Sequence, residues 1–400
     1  MGSGDQFVSR EGFVTFHHYD HDDSHLELPS PAQAIRSWLA AEGITTVPSD
    51  AGRVAEQVIA SVGGLNGSHI FREREVITLL DKMARSRKEW ADGSSDEYED
   101  RTAPVQRWLR VLNPIQKKAF GRWKLLDRFV ENGILQLGLS VRCSFCTQKN
   151  WYSLDDVATQ LRCARCVKQF PYPQGQSNTT PWEYRVVGPF ATPHFARGGY
   201  SVALTLRFLD DGFSSMNAFT YSTGLELGRD GQLVEADFFA WHNKDGAGRA
   251  PKNPITLVGE CKSLGADAFK KEDIEKLKTL AGLIPGTYLV ASTMKDAFSA
   301  GEAARLRALA KWGWAQPQPS RLVVLTGVEL FGDGPFSHTW ESAGGRAAKA
   351  IERYRYIFDF PTLAAATQEV HLGIEPDEIA DMRYARGRAG RAKAMRNAKK

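Results

Sequence analysis

The sequence predicts a mixed α/β domain with a central mixed sheet flanked by helices, preceded by a helical domain and a four-cysteine metal-binding ribbon. Three observations carry this. Residues 31–133 place apolar side chains at helical spacing, two Cys-x-x-Cys pairs lie sixteen residues apart in 143–166, and from Tyr200 alternating strands give way to helix–strand–helix–strand. The 400 residues are ample for more than one core, and 42% hydrophobic with 24% charged is an ordinary globular composition. No apolar run reaches the roughly 18 residues of a membrane span, and the N-terminus has no basic-then-apolar leader pattern. The expectation is a soluble, cytoplasmic protein without a membrane partner.

Residues 1–30 form an N-terminal segment carrying His17, His18, His21 and His25 among Tyr19, Asp20, Asp22 and Asp23. A solvated leader explains such a segment better than a metal site. The helical domain, 31–133, is built from Pro31 to Glu42, Val54 to Val62, Arg72 to Met83, and two stretches around Trp108 and from Phe120 to Val130, with a polar break near Gly93. It contains no catalytic cluster.

The region 134–175 holds Cys143-Ser-Phe-Cys146 and Cys163-Ala-Arg-Cys166. Two Cys-x-x-Cys turns at this spacing offer four thiolates to a tetrahedral Zn²⁺, and with all corners filled by protein the site is structural rather than catalytic. Such a unit resembles a zinc ribbon. Arg142, Lys149, Arg162, Arg165 and Lys168 surround the knuckles, which suits nucleic acid without requiring it. A polar linker, 176–182, follows.

The core, 180–335, has strand candidates at 200–209, where Val202, Leu204, Leu206 and Phe208 alternate, and at 217–226, 233–241 and 255–262. A helix over about 270–284, a strand from Thr287 to Ser292, a helix opened by the capping-box spacing Ser299-x-x-Glu302, and a last strand from Arg321 to Leu330 complete it. Glu235 and Asp237 are two apart on one strand, and Glu260 and Lys262 two apart on the next, while Cys261 points the other way. If those strands are neighbours, three carboxylates and one ammonium meet. Carboxylate oxygens are what hard Mg²⁺ takes, and a lysine beside such an ion suits the charge that builds on a scissile phosphate. Trp182, Tyr184 and Phe190 read as core aromatics, and His242 as a solvated hairpin histidine.

Asp237 with Glu260-x-Lys262, in this order of elements, resembles the PD-(D/E)xK superfamily, the restriction-endonuclease-like fold, and Glu235-x-Asp237 is similar to the strand of Mrr-like defence nucleases. The resemblance covers 180–335, with the ribbon over 143–166. It implies catalytic Mg²⁺ (or Mn²⁺) ligated by Asp237, Glu260 and the backbone carbonyl of Cys261, with Lys262 serving water and phosphate and Glu235 as an added ligand or support. Ala236 stands where many members carry proline. It further implies a nuclease acting on nucleic acid, DNA favoured over RNA, in anti-phage or anti-plasmid defence, controlled by a partner protein or by homo-oligomerisation. The alternatives are a catalytically inactive nucleic-acid-binding or adaptor protein on the same fold and an RNA-directed nuclease. A C-terminal extension, 336–382, and a basic tail, 383–400, follow. The tail carries eight Arg or Lys and no acid, a candidate polyphosphate-binding arm.

Overall fold

A computed structural model of the chain describes residues 5–9, 12–16, 30–84, 102–118, 124–172, 182–192, 195–213, 219–229, 231–242, 254–264, 268–332, 336–354, 357, 359–375 and 377–378. The His-rich cluster, the 176–181 part of the linker and the basic tail lie outside them. In chain order the first elements are β1 (Asp5–Ser9), β2 (Gly12–Phe16), α1 (Pro31–Ala41), β3 (Thr45–Pro48), α2 (Asp50–Ser61), α3 (Gly64–Gly67) and α4 (Arg74–Ala84). Then come β4 (Thr102–Pro104), α5 (Val105–Lys118), α6 (Leu125–Glu131), β5 (Leu135–Arg142), β6 (Lys149–Ser153), β7 (Gln160–Arg162), β8 (Gln169–Pro171) and β9 (Trp182–Val186). The remainder is α7 (Phe195–Phe213), β10 (Phe219–Arg229), β11 (Gln232–His242), β12 (Ile255–Lys262), α8 (Lys271–Leu283), β13 (Tyr288–Thr293), α9 (Ala300–Ala315) and β14 (Leu322–Leu325). It ends with α10 (Gly327–Leu330), α11 (Phe336–Ala343), α12 (Gly345–Tyr354) and α13 (Phe360–Thr367).

Contacts divide the chain into two units, one of residues 1–56 with 198–400 and the other of 57–197. The first is built on a six-stranded sheet ordered β14-β13-β12-β11-β10-β3. Strands β3, β10, β11 and β12 are antiparallel in turn, and β12, β13 and β14 are parallel. Parallel neighbours need a crossover, supplied here by α8 and α9. Leu277 and Ala281 of α8 and Leu306, Leu309 and Trp314 of α9 pack on Leu289, Ala291, Leu322 and Val324 of the sheet. Ile35 and Leu39 of α1 share a second apolar cluster with Leu225, Leu227, Val258 and Leu280. From α7, Thr205 Oγ1 meets Ser292 Oγ of β13 at 2.7 Å. The edge of β14 is covered. Thr367 Oγ1 accepts the Val324 N–H at 3.1 Å and Gln368 Nε2 donates to the Leu322 carbonyl at 2.6 Å, so this edge offers no free ladder to another chain.

Three expectations change. Residues 200–209 are the middle of helix α7, not a strand. Tyr200, Ser201, Val202, Ala203, Leu204, Thr205 and Leu206 are all buried, so the helix shows no polar stripe and its apolar run reads like strand alternation. The last strand stops at Leu325. Thr326 caps α10, its side chain accepting the Val328 N–H while Glu329 reaches back to the Thr326 N–H, and this box turns the chain out of the sheet. Residues 31–56 group with the α/β unit rather than with the helical region, because β3 pairs with β10 some 180 positions away.

The second unit carries a four-stranded antiparallel sheet ordered β4-β9-β5-β6. Trp108 of α5 is fully buried and meets Phe129 of α6 edge-on, with ring centroids 5.9 Å apart. Phe190 is buried and Tyr184 nearly so, as core aromatics, whereas Trp182 is 45% exposed. Beyond β6 the β7–β8 hairpin completes the cysteine ribbon. No described helix is long and apolar enough to cross a membrane.

Candidate functional site

The cysteines come together. Among the described residues they are the one group of three or more potential ligands with all ligand atoms within 4.8 Å of one another. Cys143 and Cys166 Sγ are 3.7 Å apart and Cys146 and Cys163 Sγ 3.5 Å. A tetrahedron with zinc–sulfur bonds of about 2.3 Å has corners about 3.8 Å apart, so the cluster fits zinc as it stands. The two halves are built alike. Thr147 N donates to the Cys143 carbonyl and Val167 N to the Cys163 carbonyl, both at 3.0 Å, and Thr147 and Val167 both hold positive φ, 60° and 62°. That conformation costs a β-branched residue, and the tight turn it makes aims both thiols inward. The Phe145 and Arg165 amides donate to the Cys143 and Cys163 sulfurs at 3.4 Å. Asn150, buried beside Cys163, ties the two halves by accepting the Ala164 N–H at 2.9 Å. Burial works against ionisation of Cys163, yet amide and side-chain hydrogen bonds bring its thiol down to about 6, whereas Cys146, against the pull of the Gln148 amide, is pushed up to about 11 by burial and the neighbouring cysteines, so Cys163 is the thiol that ionises first.

The second cluster lies where β11 and β12 meet α8. The β11–β12 ladder runs from His242↔Ile255 to Phe238↔Gly259. Continued by one step it sets Asp237 opposite Glu260, but there the side chain takes over from the backbone, Asp237 Oδ2 accepting the Cys261 N–H at 2.6 Å. Phe238 fixes this register. Its fully buried ring lies over Gly259, where a Cβ would stand 1.9 Å from a ring carbon. Cys261 points away as expected, buried with its Sγ 3.7 Å from Thr205 Oγ1, and burial pushes its thiol far up. Glu260 is buried with both oxygens engaged. Lys262 Nζ donates to Oε1 at 2.9 Å and Lys276 Nζ to Oε2 at 2.5 Å. Lys262 also donates to Asp273 Oδ1 at 3.0 Å.

Asp273 and Lys276 did not stand out in the sequence. They are one turn apart on α8, and their only signal was that this helix directly follows the Glu-x-Lys strand. Glu235 is half-buried and acts electrostatically on Lys276. Burial first, and the neighbouring Glu260 second, push Asp237 up to about 7, against the pull of Lys276, the Cys261 N–H and Lys262. Charges on Glu260 and Asp273 outweigh burial at Lys262 and keep its ammonium protonated well above the usual range. Asp237 and Glu260 side by side, with Glu235 as a further acid at hand, present the carboxylate oxygens that a hard divalent cation takes. His242 is buried rather than solvated, its ring 5.3 Å from that of Phe360.

Fold and sites together define a mixed α/β protein whose central mixed sheet is flanked by helices and which carries a four-cysteine cluster able to bind a structural metal such as zinc. No family model matches the sequence, and no curated protein sequence matches it. Two solved structures are similar in part. One is protein VC1899 from Vibrio cholerae, at 10% identity and a TM-score of 0.31, covering 82% of this chain and 66% of that one. The other is Can2 from Sulfobacillus thermosulfidooxidans in complex with cyclic tetra-adenylate, at 12% identity and a TM-score of 0.25, covering 81% and 64%. This chain spans less than two thirds of the length of either.

Proposed function

We propose that the protein is a metal-dependent nuclease of PD-(D/E)xK type that hydrolyses phosphodiester bonds, with DNA as the favoured substrate and the cysteine ribbon as a structural zinc module. One observation carries the reading. Adjacent antiparallel strands bring Asp237 to Glu260-x-Lys262, with the Cys261 amide bonded to the Asp237 carboxylate. The element order supports it from β10 onward, a β10–β11–β12 meander followed by α8, β13, α9 and β14, with helix α7 standing where the sequence predicts a strand at 200–209.

Asp237, Glu260 and the Cys261 carbonyl would hold the cation, with Glu235 beside them. When bound, Mg²⁺ lowers the pKa of a water and offsets charge on the scissile phosphate. The chain's own groups do the positioning. The Cys261 N–H fixes the Asp237 carboxylate, which cannot then rotate freely. Asp273 and Glu260 together hold the Lys262 ammonium, so the charge stands ready for phosphate and attacking water without reorganising. Burial beside the central strands β11 and β12 strengthens these interactions relative to water.

Supercoiled plasmid incubated with zinc-loaded protein and Mg²⁺ or Mn²⁺ tests this. Nicking is expected, with a loss of about a hundredfold or more in Lys262→Ala and Asp237→Ala. Cutting unchanged from wild type in both variants would place the chemistry elsewhere. Parallel digestion of single- and double-stranded DNA and RNA identifies the substrate. A role in anti-phage or anti-plasmid defence, and control by a partner protein or homo-oligomer, belong to this proposal on the family resemblance alone.

A further inference from the structure

The arrangement of α8 raises a question that the catalytic reading leaves open. Both oxygens of Glu260 are already engaged, one by Lys262 and the other by Lys276. Lys262 has a second acceptor in Asp273, so it is held in place whatever happens to Glu260. Lys276 is different. Among the described residues its ion-pair partner is Glu260, and its ammonium is also under the charge of Asp237 and Glu235. Its head group is therefore bonded to Glu260 and feels the charge of the other acids that a divalent cation would draw on. Its side chain is 21% exposed, against 13% for Lys262 and 5% for Glu260, so it has a way out toward solvent that Glu260 lacks.

We propose that Lys276 is a built-in competitor of the catalytic cation, its ammonium occupying the carboxylate cluster in the metal-free protein and leaving Glu260 when a divalent ion enters. This rests on the nuclease reading and deepens it. The reason is charge. Two carboxylates buried side by side are costly unless a cation lies between them, and a flexible lysine supplies one that needs no metal. The consequence is a tax on metal affinity. If Lys276 is seated in all but about a tenth of molecules, the apparent dissociation constant of the metal is about tenfold weaker than the carboxylates alone would give. Basal cleavage at low free Mg²⁺ is held down by the same factor. The released ammonium stays within reach of the cluster, where a substrate phosphate is its natural new partner, so nucleic acid and metal favour one another's binding.

The test is calorimetric titration of zinc-loaded full-length protein with Mn²⁺ at about pH 8, where Asp237 is mostly ionised. Lys276→Met should bind Mn²⁺ about tenfold tighter than wild type and reach half-maximal nicking at correspondingly lower metal. Lys276→Arg, which keeps the charge, should stay near wild type. Lys278→Met is the control from the same helix, since Lys278 pairs with Glu275 and not with the cluster, and it should leave the affinity unchanged. Should Lys276→Met not fold, Lys276→Gln replaces it with the same expectation. Unchanged or weaker Mn²⁺ binding in the neutral variants would overturn the competitor role while leaving the nuclease reading intact. If wild-type Mn²⁺ binding is insensitive to Asp237→Ala and no cleavage occurs, both fall together.

Discussion

Replacing Asp237 by asparagine should abolish activity and yet stabilise the metal-free protein at neutral and alkaline pH. Burial and Glu260 raise this carboxyl from 3.8 to about 7. In that window the folded state holds a proton that the unfolded chain has released, so Asp237 subtracts stability as pH rises from 3.8, and the full cost stands above about 7. A shift of about 3 units at 1.36 kcal/mol each bounds that cost at about 4 kcal/mol, and the half-buried position reduces the expectation to about 2 kcal/mol by solvent screening. Asparagine keeps an oxygen for the Cys261 N–H and carries no charge, so it stands in for the protonated acid. The clean readout is how the gap between variant and wild type changes with pH, because packing differences of the amide and the titration of every other group cancel in it.

Between pH 5 and pH 8 that gap should widen by about 1–3 kcal/mol in favour of Asp237→Asn. At about 2–4 °C per kcal/mol this is several degrees in the melting temperature. The assay is thermal or urea unfolding in magnesium-free buffer without chelator, so that the cysteine site keeps its zinc. Adding Mg²⁺ should then raise the wild-type melting temperature and leave the variant's unchanged, since only the wild type retains the ligand. A gap that is flat or narrows with pH would show that Asp237 is not under the electrostatic pressure its neighbours imply, and the donor-set argument would lose its support.

Two further outcomes concern the scaffold. Cys163→Ser should cost the protein its one equivalent of tightly held zinc, measured by metal analysis, and melt the β7–β8 hairpin in hydrogen exchange while β10–β14 stay protected, because the metal supplies folding energy to a piece with little core of its own. Gly259→Ala drives a methyl into the Phe238 ring, which is buried and cannot yield. Denaturant unfolding should show a loss of about 1–3 kcal/mol, with slower nicking as the Asp237–Glu260 register shifts.

The parts of this molecule that local chemistry dictates could be read from the sequence. Strand β12 falls at Ile255–Lys262, the expected boundaries, where a largely apolar run starts directly after Pro254. The two-residue spacing of Glu235 with Asp237 and of Glu260 with Lys262 fixed their faces, and the four cysteines declared their cluster through spacing alone. What escaped depends on partners far along the chain. Thr45–Pro48 is a strand only because β10 is there to pair with it, and nothing in Thr-Thr-Val-Pro announces that partner. Helix α7 lost its helical signature because burial removed the polar face that makes a period visible. Asp273 and Lys276 sit on the hydrophilic side of α8, where Glu272, Glu275 and Lys278 give the same pattern by being solvated. Only the fold separates the pair that turns inward.

That pair also explains how the cluster can exist without a metal. Glu235, Asp237, Glu260 and Asp273 bring four acids to a site where Lys262 and Lys276 supply two ammonium groups. A divalent ion would make the count even. Before it arrives, the excess is relieved partly by protonation of Asp237, which burial first and Glu260 second push up to about 7, and partly by Lys276 seated on Glu260 at 2.5 Å. Both remedies are reversible, and both use groups that the cation must dislodge. Stability of the empty site and affinity of the loaded one therefore pull in opposite directions. Asp237→Asn removes a ligand and gains stability, whereas Lys276→Met removes a competitor and gives stability up, leaving Glu260 with one ammonium instead of two. A network in which Asp237 was held as a stabilised, paired carboxylate would lose stability under both substitutions, so the opposite signs mark Asp237 as an acid under electrostatic pressure that a cation would relieve.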